Sequence, residues 1–118
     1  MNIDVLEMML TKKLERDVLY CLSGEDAIRN IRERAEQSRD VQLKLLVLMD
    51  INMPCMDGVA TTRIIKRMLQ SYRNVEATFI ALTAQEEKSI KEIDMFNGYR
   101  TKPITKDELE DTILFYGF

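Results

Sequence analysis

Asp50, Thr83 and Lys102 are the residues whose types and placement suggest chemistry in this chain. Each closes a strand-like stretch: Leu43–Met49 before Asp50, Ala77–Leu82 before Thr83, and a short strand beginning at Tyr99 that Lys102 ends. In a parallel sheet the carboxyl ends of strands lie together, and open α/β sheets place their crevices there. A carboxylate, a hydroxyl and an ammonium gathered at one edge can accept and hold a phosphoryl group. The carboxylate is the nucleophile toward phosphorus. The ammonium stabilises charge on the transferring oxygens, and the hydroxyl bonds one of them. Taken singly, Thr83 is an ordinary β-branched strand end and Lys102 a surface lysine before Pro103. Asp50 is different. It is a poor helix cap, because Asp57 lies closer to the next helix start and Pro54 intervenes.

The flanking pattern predicts the elements that must position these side chains. The unbroken apolar run Leu45 to Met49 suits a strand buried on both faces. Asp4 to Leu14 has helical spacing, with Val5, Met8 and Met9 on one side. Asp17 to Leu22 is strand-like, and Ser23-Gly24 turns into a helix running to about Arg39 with Ala27, Ile28, Ile31 and Ala35 inward. Gly58 opens a helix ending near Tyr72, with Val59, Thr62, Ile64, Ile65, Met68 and Leu69 inward. Gln85 to about Phe96 is a weaker, polar helix. Thr105 caps the last helix, with Glu108 completing a capping box and Leu109, Ile113 and Leu114 on its apolar side. Strands alternating with helices imply a parallel sheet covered on both faces, within one domain.

Three blocks, Met49-Asp50-Ile51-Asn52-Met53-Pro54 with Met56-Asp57-Gly58, then Ala81-Leu82-Thr83-Ala84, then Thr101-Lys102-Pro103-Ile104, resemble the motifs of the response-regulator receiver family in the right order. The resemblance covers nearly the whole chain, 1–118. It implies a flavodoxin-like doubly wound parallel sheet with strand order 2-1-3-4-5. It implies that Asp50 receives phosphoryl from a sensor histidine kinase or histidine phosphotransfer protein, with Lys102 and Thr83 assisting. It further implies that Asp50 and the carbonyl of Asn52 contribute to binding Mg²⁺, that Ala84 leaves room for phosphate, and that Thr83 and the aromatic Tyr99 form the switch. The switched protein-binding surface would lie around Gln85–Phe96, Tyr99–Lys102 and the last helix. Such a domain is a phosphoacceptor signalling module rather than an enzyme, and is cytoplasmic. Tyr99 is equally a half-buried strand tyrosine.

The family opens with a strand ending in two adjacent acidic residues that complete the Mg²⁺ site. Here Met1-Asn2-Ile3-Asp4-Val5-Leu6 resembles the start of the family's first helix instead. The first strand and its acidic pair are missing, so the domain is expected to be N-terminally incomplete. Asp50 and one carbonyl are a poor set for a hard cation; Asp4 and Glu7 are carboxylates of the predicted first helix. Three outcomes follow from the gap: a fragment or mis-started chain, direct re-pairing of Val18–Leu22 against Leu43–Met49, or dimerisation or association through an exposed sheet edge. A pseudo-receiver, binding partners without turning over phosphate, is the alternative reading. An aspartate-nucleophile phosphatase is disfavoured, because Asn52 stands where that superfamily wants a second Asp.

Composition closes off other classes. The chain has 118 residues, 46% hydrophobic and 31% charged, with net charge −3. Such a balance carries no basic footprint for nucleic acid. The short basic run from Arg63 to Arg67 is interrupted by Ile64 and Ile65 and suits a solvated helix face. There is no histidine, so no phosphohistidine chemistry arises within this chain. Cys21 and Cys55 form neither a metal motif nor a disulfide framework. No apolar run approaches the ~20 residues that span a bilayer, and no secretion signal precedes the first helix.

Overall fold

The computed structural model describes residues 14–21, 23–39, 41–51, 57–84 and 95–118. Four strands and three helices follow one another: β1 (Leu14–Cys21), α1 (Gly24–Gln37), β2 (Gln42–Asp50), α2 (Gly58–Leu69), β3 (Val75–Thr83), β4 (Gly98–Thr101) and α3 (Lys106–Phe115). The described strands make one sheet in the order β1-β2-β3-β4, and every neighbouring pair is parallel. This is the doubly wound α/β arrangement that the alternation of elements predicts.

Strand alternation divides the core in two. Leu43, Leu45, Val47 and Met49 of β2, with Phe79 and Ala81 of β3, face α1 and α2 and pack on Ala27, Ile31 and Ile65. Leu46 and Leu48 of β2, with Ile80 and Leu82 of β3 and Val18 of β1, face α3 and pack on Leu109 and Ile113. From Leu45 to Met49 no side chain reaches solvent, which is why that run has no polar residue.

Where an interior strand was expected to be missing, β1 lies directly against β2. Eight consecutive residues pair, from Leu14 with Gln42 to Cys21 with Met49. This is the re-pairing outcome, and it gives Val18 to Cys21 a partner for its backbone groups. Leu14 opens this strand and does not end a helix; the remainder of the predicted first helix lies outside the described residues. So does most of the predicted helix Gln85–Phe96, whose last two residues, Met95 and Phe96, lead into β4.

Two helix faces depart from expectation. The apolar spacing places Ile64 and Leu114 in the core, yet both are exposed. Each helix has a narrower buried stripe than its apolar content allows: Thr61, Thr62 and Ile65 on α2, and Leu109, Thr112 and Ile113 on α3. Buried threonines take the places of apolar side chains; the Thr61 and Thr112 hydroxyls are absorbed by the helix itself, while the Thr62 hydroxyl is buried with no hydrogen-bond partner among the described residues. Thr61 donates to the Asp57 carbonyl at 2.9 Å and Thr112 to the Glu108 carbonyl at 2.7 Å.

Candidate phosphoacceptor site

β2, β3 and β4 end side by side, and the three side chains predicted to work together hang from those ends. Asp50 is the last residue of β2 and pairs in register with Leu82. Thr83 is the last residue of β3 and is buried. Lys102 follows the last residue of β4. The Thr83 carbonyl accepts the Lys102 backbone N–H at 2.7 Å, which fixes where the lysine leaves the sheet. Its ammonium then reaches back to Asp50, donating to Oδ1 at 2.9 Å. The Asp50 and Lys102 side chains are 15% and 28% exposed, so the pair is partly buried at the strand ends, neither in the core nor on the open surface. A carboxylate in such a place has a neighbouring cation and a route to solvent, which is what a nucleophile toward phosphorus needs.

Local structure behind Asp50 is set by a glycine. The Ile51 carbonyl accepts the Gly58 N–H at 2.8 Å, folding the chain back so that α2 starts beside the strand it follows. A β-carbon on Gly58 would overlap the Asp50 carbonyl and stand 2.7 Å from the Ile51 Cα, so no other residue fits without backbone movement. Asp57 caps α2: its Oδ1 accepts the Ala60 N–H at 2.7 Å. That assignment separates the two aspartates of the segment, one for the helix start and one for the crevice.

Of the other predicted positions, Ala84 is exposed beside Thr83, and Tyr99 is half-buried in β4 against the α1–α2 side of the core. Asn52 lies outside the described residues. For the expected Mg²⁺, the described residues offer a sparse donor set. Among the described residues no three Asp, Glu, Cys or His side chains are grouped to share an ion. Asp57 is committed to a cap, and Asp50 already faces an ammonium. The residue of β1 nearest that end is Cys21, paired with Met49. Its thiol is pushed up to about 12 by burial, and sulfur is in any case not the oxygen donor that a hard cation takes.

Sequence reasoning missed two supports. Asn97 precedes β4 and brackets Phe79: its N–H donates to the Phe79 carbonyl at 2.7 Å, and its Oδ1 accepts the Phe79 N–H at 2.8 Å. One side chain thus extends the ladder before β4 begins; the Asn97-Gly98 dipeptide was the available signal. Arg100 of β4 donates through Nε to Thr112 of α3 at 2.9 Å, and its guanidinium lies 5.9 Å from the Tyr116 ring centre. It ties the strand that delivers Lys102 to the last helix. Among the described residues, no helix is long and apolar enough to cross a membrane.

The family model described as response regulator receiver domain matches residues 1–114. Among curated proteins, the chain is 31% identical over 119 residues to hybrid signal transduction histidine kinase L of Dictyostelium discoideum. It is 28% identical over 116 residues to the osmosensing histidine protein kinase SLN1 of Saccharomyces cerevisiae. Those matches take in 98% and 96% of this chain but only 7% and 9% of the relatives' lengths. Among solved structures, the Vibrio cholerae chemotaxis protein CheY4 superposes with a TM-score of 0.53 at 16% identity, over 89% of this chain and 98% of the other. A probable two-component response regulator/GGDEF domain protein superposes at 0.56 and 15% identity, over 96% and 51%. At such identities the structural likeness speaks for the fold.

Proposed function

This chain belongs to the response regulator receiver family, and on that premise we propose that Asp50 takes phosphoryl from a phosphohistidine partner in a phosphorelay. The observation that supports this most directly is the half-buried Asp50–Lys102 pair at the carboxyl end of the sheet. The reaction balances simply. An Asp50 oxygen attacks phosphorus, the N–P bond of the donor breaks, and its electron pair stays with the imidazole, which takes up a proton. Lys102, already beside Oδ1, moves with the negative charge as it spreads over the phosphoryl oxygens. Thr83 follows Leu82, the register partner of Asp50, and its hydroxyl is suited to bond a phosphoryl oxygen. Partners in this reading are a histidine kinase or a histidine phosphotransfer protein. The curated relatives, being named hybrid histidine kinases, favour that class of donor. Because the described donor set suits a divalent cation poorly, no step is routed through one.

The test is intact-mass measurement after treatment with a small phosphodonor and Mg²⁺, on the wild type and on Asp50→Asn. One phosphoryl adduct on the wild type and none on the variant is the expected result. An adduct that persists on the variant removes Asp50 as acceptor. A wild type that takes no phosphoryl from the donor or from a phosphorylated histidine phosphotransfer domain favours the second reading, a phosphorylation-independent binding module. That reading has its own motive: among the described residues no acidic pair joins Asp50 to hold a divalent cation.

A further inference from the structure

The exposed large hydrophobic side chains among the described residues are Ile64, Leu114 and Phe115, at 43%, 70% and 76%. They are not scattered. Ile64 lies on the outer side of α2, and the other two at the outer end of α3. These helices cover opposite faces of the sheet. Their outer sides carry opposite charge. The α2 sequence GVATTRIIKRML holds Arg63, Lys66 and Arg67 and no carboxylate. The α3 sequence KDELEDTILF holds Asp107, Glu108, Glu110 and Asp111 against one lysine. All of these charged side chains are exposed.

We propose that these two faces bind each other between copies, so that α2 of one molecule packs antiparallel on α3 of the next. The spacing supports the pairing. Ile64 and Arg67 are separated by ~4.5 Å of helix rise, and so are Asp111 and Leu114. With the helices antiparallel, one register sets Ile64 on Leu114 and Arg67 on Asp111 together. Phe115 then extends the apolar contact, and Asp107 lies one turn further along the Arg67 side. Because α2 and α3 point away from each other across the sheet, a molecule cannot close this contact on itself. The association is heterologous, head to tail, and continues rather than stopping at a symmetric dimer. A contact of one helix on one helix is small, so it is weak, and its charged rim makes it salt-dependent. It uses neither Asp50 nor Lys102 and does not depend on phosphorylation.

Sedimentation equilibrium, run up to ~1 mM protein at low and high salt, tests this. Wild type is expected to associate reversibly at low salt and to do so at least ~10-fold more weakly in high salt. Arg67→Glu and Asp111→Arg, each alone, are expected to stay monomeric. Mixed in equal amounts they are expected to associate again, because one retains the acidic face and the other the basic face. That complementation shows that Arg67 and Asp111 meet across the contact, and growth of the wild type beyond a dimer with rising concentration marks the contact as head-to-tail rather than symmetric. A wild type that is monomeric throughout overturns the proposal. So does a dimer that both substitutions leave intact, or single variants whose mixture stays monomeric. Circular dichroism on both variants separates lost association from lost folding; these exposed sites are expected to leave the melting midpoint within a few degrees.

Discussion

Two carboxylates of this sheet each meet one cation, and the two pairs do different work. Asp17 of β1 is bound by Arg34 of α1, with side chains 8% and 32% exposed. Asp50 of β2 is bound by Lys102 at 15% and 28%. Burial barely distinguishes them; position does. Asp17 sits within its strand, opposite Leu45, under the helix that carries its partner. Its cation is a planar guanidinium on a rigid element, suited to hold strand and helix together. Asp50 sits at the end of its strand, and its cation is a flexible ammonium from beyond β4. A lysine there can follow charge from the carboxylate to an arriving group. The same chemical pair is suited to clamp when enclosed between elements, and on the proposed function to react when placed at the strand ends.

The largest effect should come from breaking the clamp. Arg34→Ala leaves the Asp17 carboxylate buried among apolar neighbours, and a loss of about 3 kcal/mol is expected. Chemical denaturation measures it. A loss below ~1 kcal/mol, as for exposed pairs, would dissolve the distinction drawn here.

Next in size is Gly58→Ala. The added methyl meets the backbone of Asp50 and Ile51, so ~1–3 kcal/mol is expected, together with a shift of the Asp50 amide resonance that Arg34→Ala does not cause. An unchanged Asp50 resonance would separate the glycine from the site.

Lys102→Ala sharpens the contrast from the other side. Its half-exposed pair should contribute no more than ~1 kcal/mol to stability. Loss of charge stabilisation should nevertheless lower the rate of phosphoryl uptake by at least ~10-fold. A variant that melts early yet phosphorylates normally would make Lys102 a second clamp.

The smallest effect concerns a surface cluster at the opposite end of the sheet. The Tyr72 hydroxyl, and then the Arg39 guanidinium at 3.0 Å, hold the Glu36 carboxyl below the usual glutamate range. A depressed folded value stabilises the fold above the unfolded value, and that contribution disappears as pH falls through the lowered one. Tyr72→Phe should therefore lower the melting midpoint slightly at neutral pH, with the difference closing below the usual glutamate range. A difference that does not change with pH assigns the effect to packing alone.

Several of these features were legible in the chain beforehand. The unbroken apolar run before Asp50 marked a strand buried on both faces, and its length placed the carboxylate at the end. The Thr105 cap, accepting the Glu108 N–H at 3.1 Å, followed from a local pattern. So did Gly58 as the start of α2. The ends of β2, β3 and β4 were placed within two residues, because caps, glycines and prolines act on their immediate neighbours.

What the sequence determined by itself was therefore local: which stretches extend, which coil, and which polar side chains stand at their ends. The tertiary structure decided what depends on residues far apart. Direct pairing of β1 with β2 needs a register between chain segments some 28 positions apart, from Leu14 with Gln42 onward, and no local preference encodes one. The Asp17–Arg34 clamp exists only because that register and the return of α1 bring the two together. Ile64 and Leu114 carry apolar spacing that fits a core, yet threonines take up part of the buried stripe of each helix and these two side chains stay exposed. Periodicity tells which side of a helix is apolar; only packing decides how much of that side finds something to cover it.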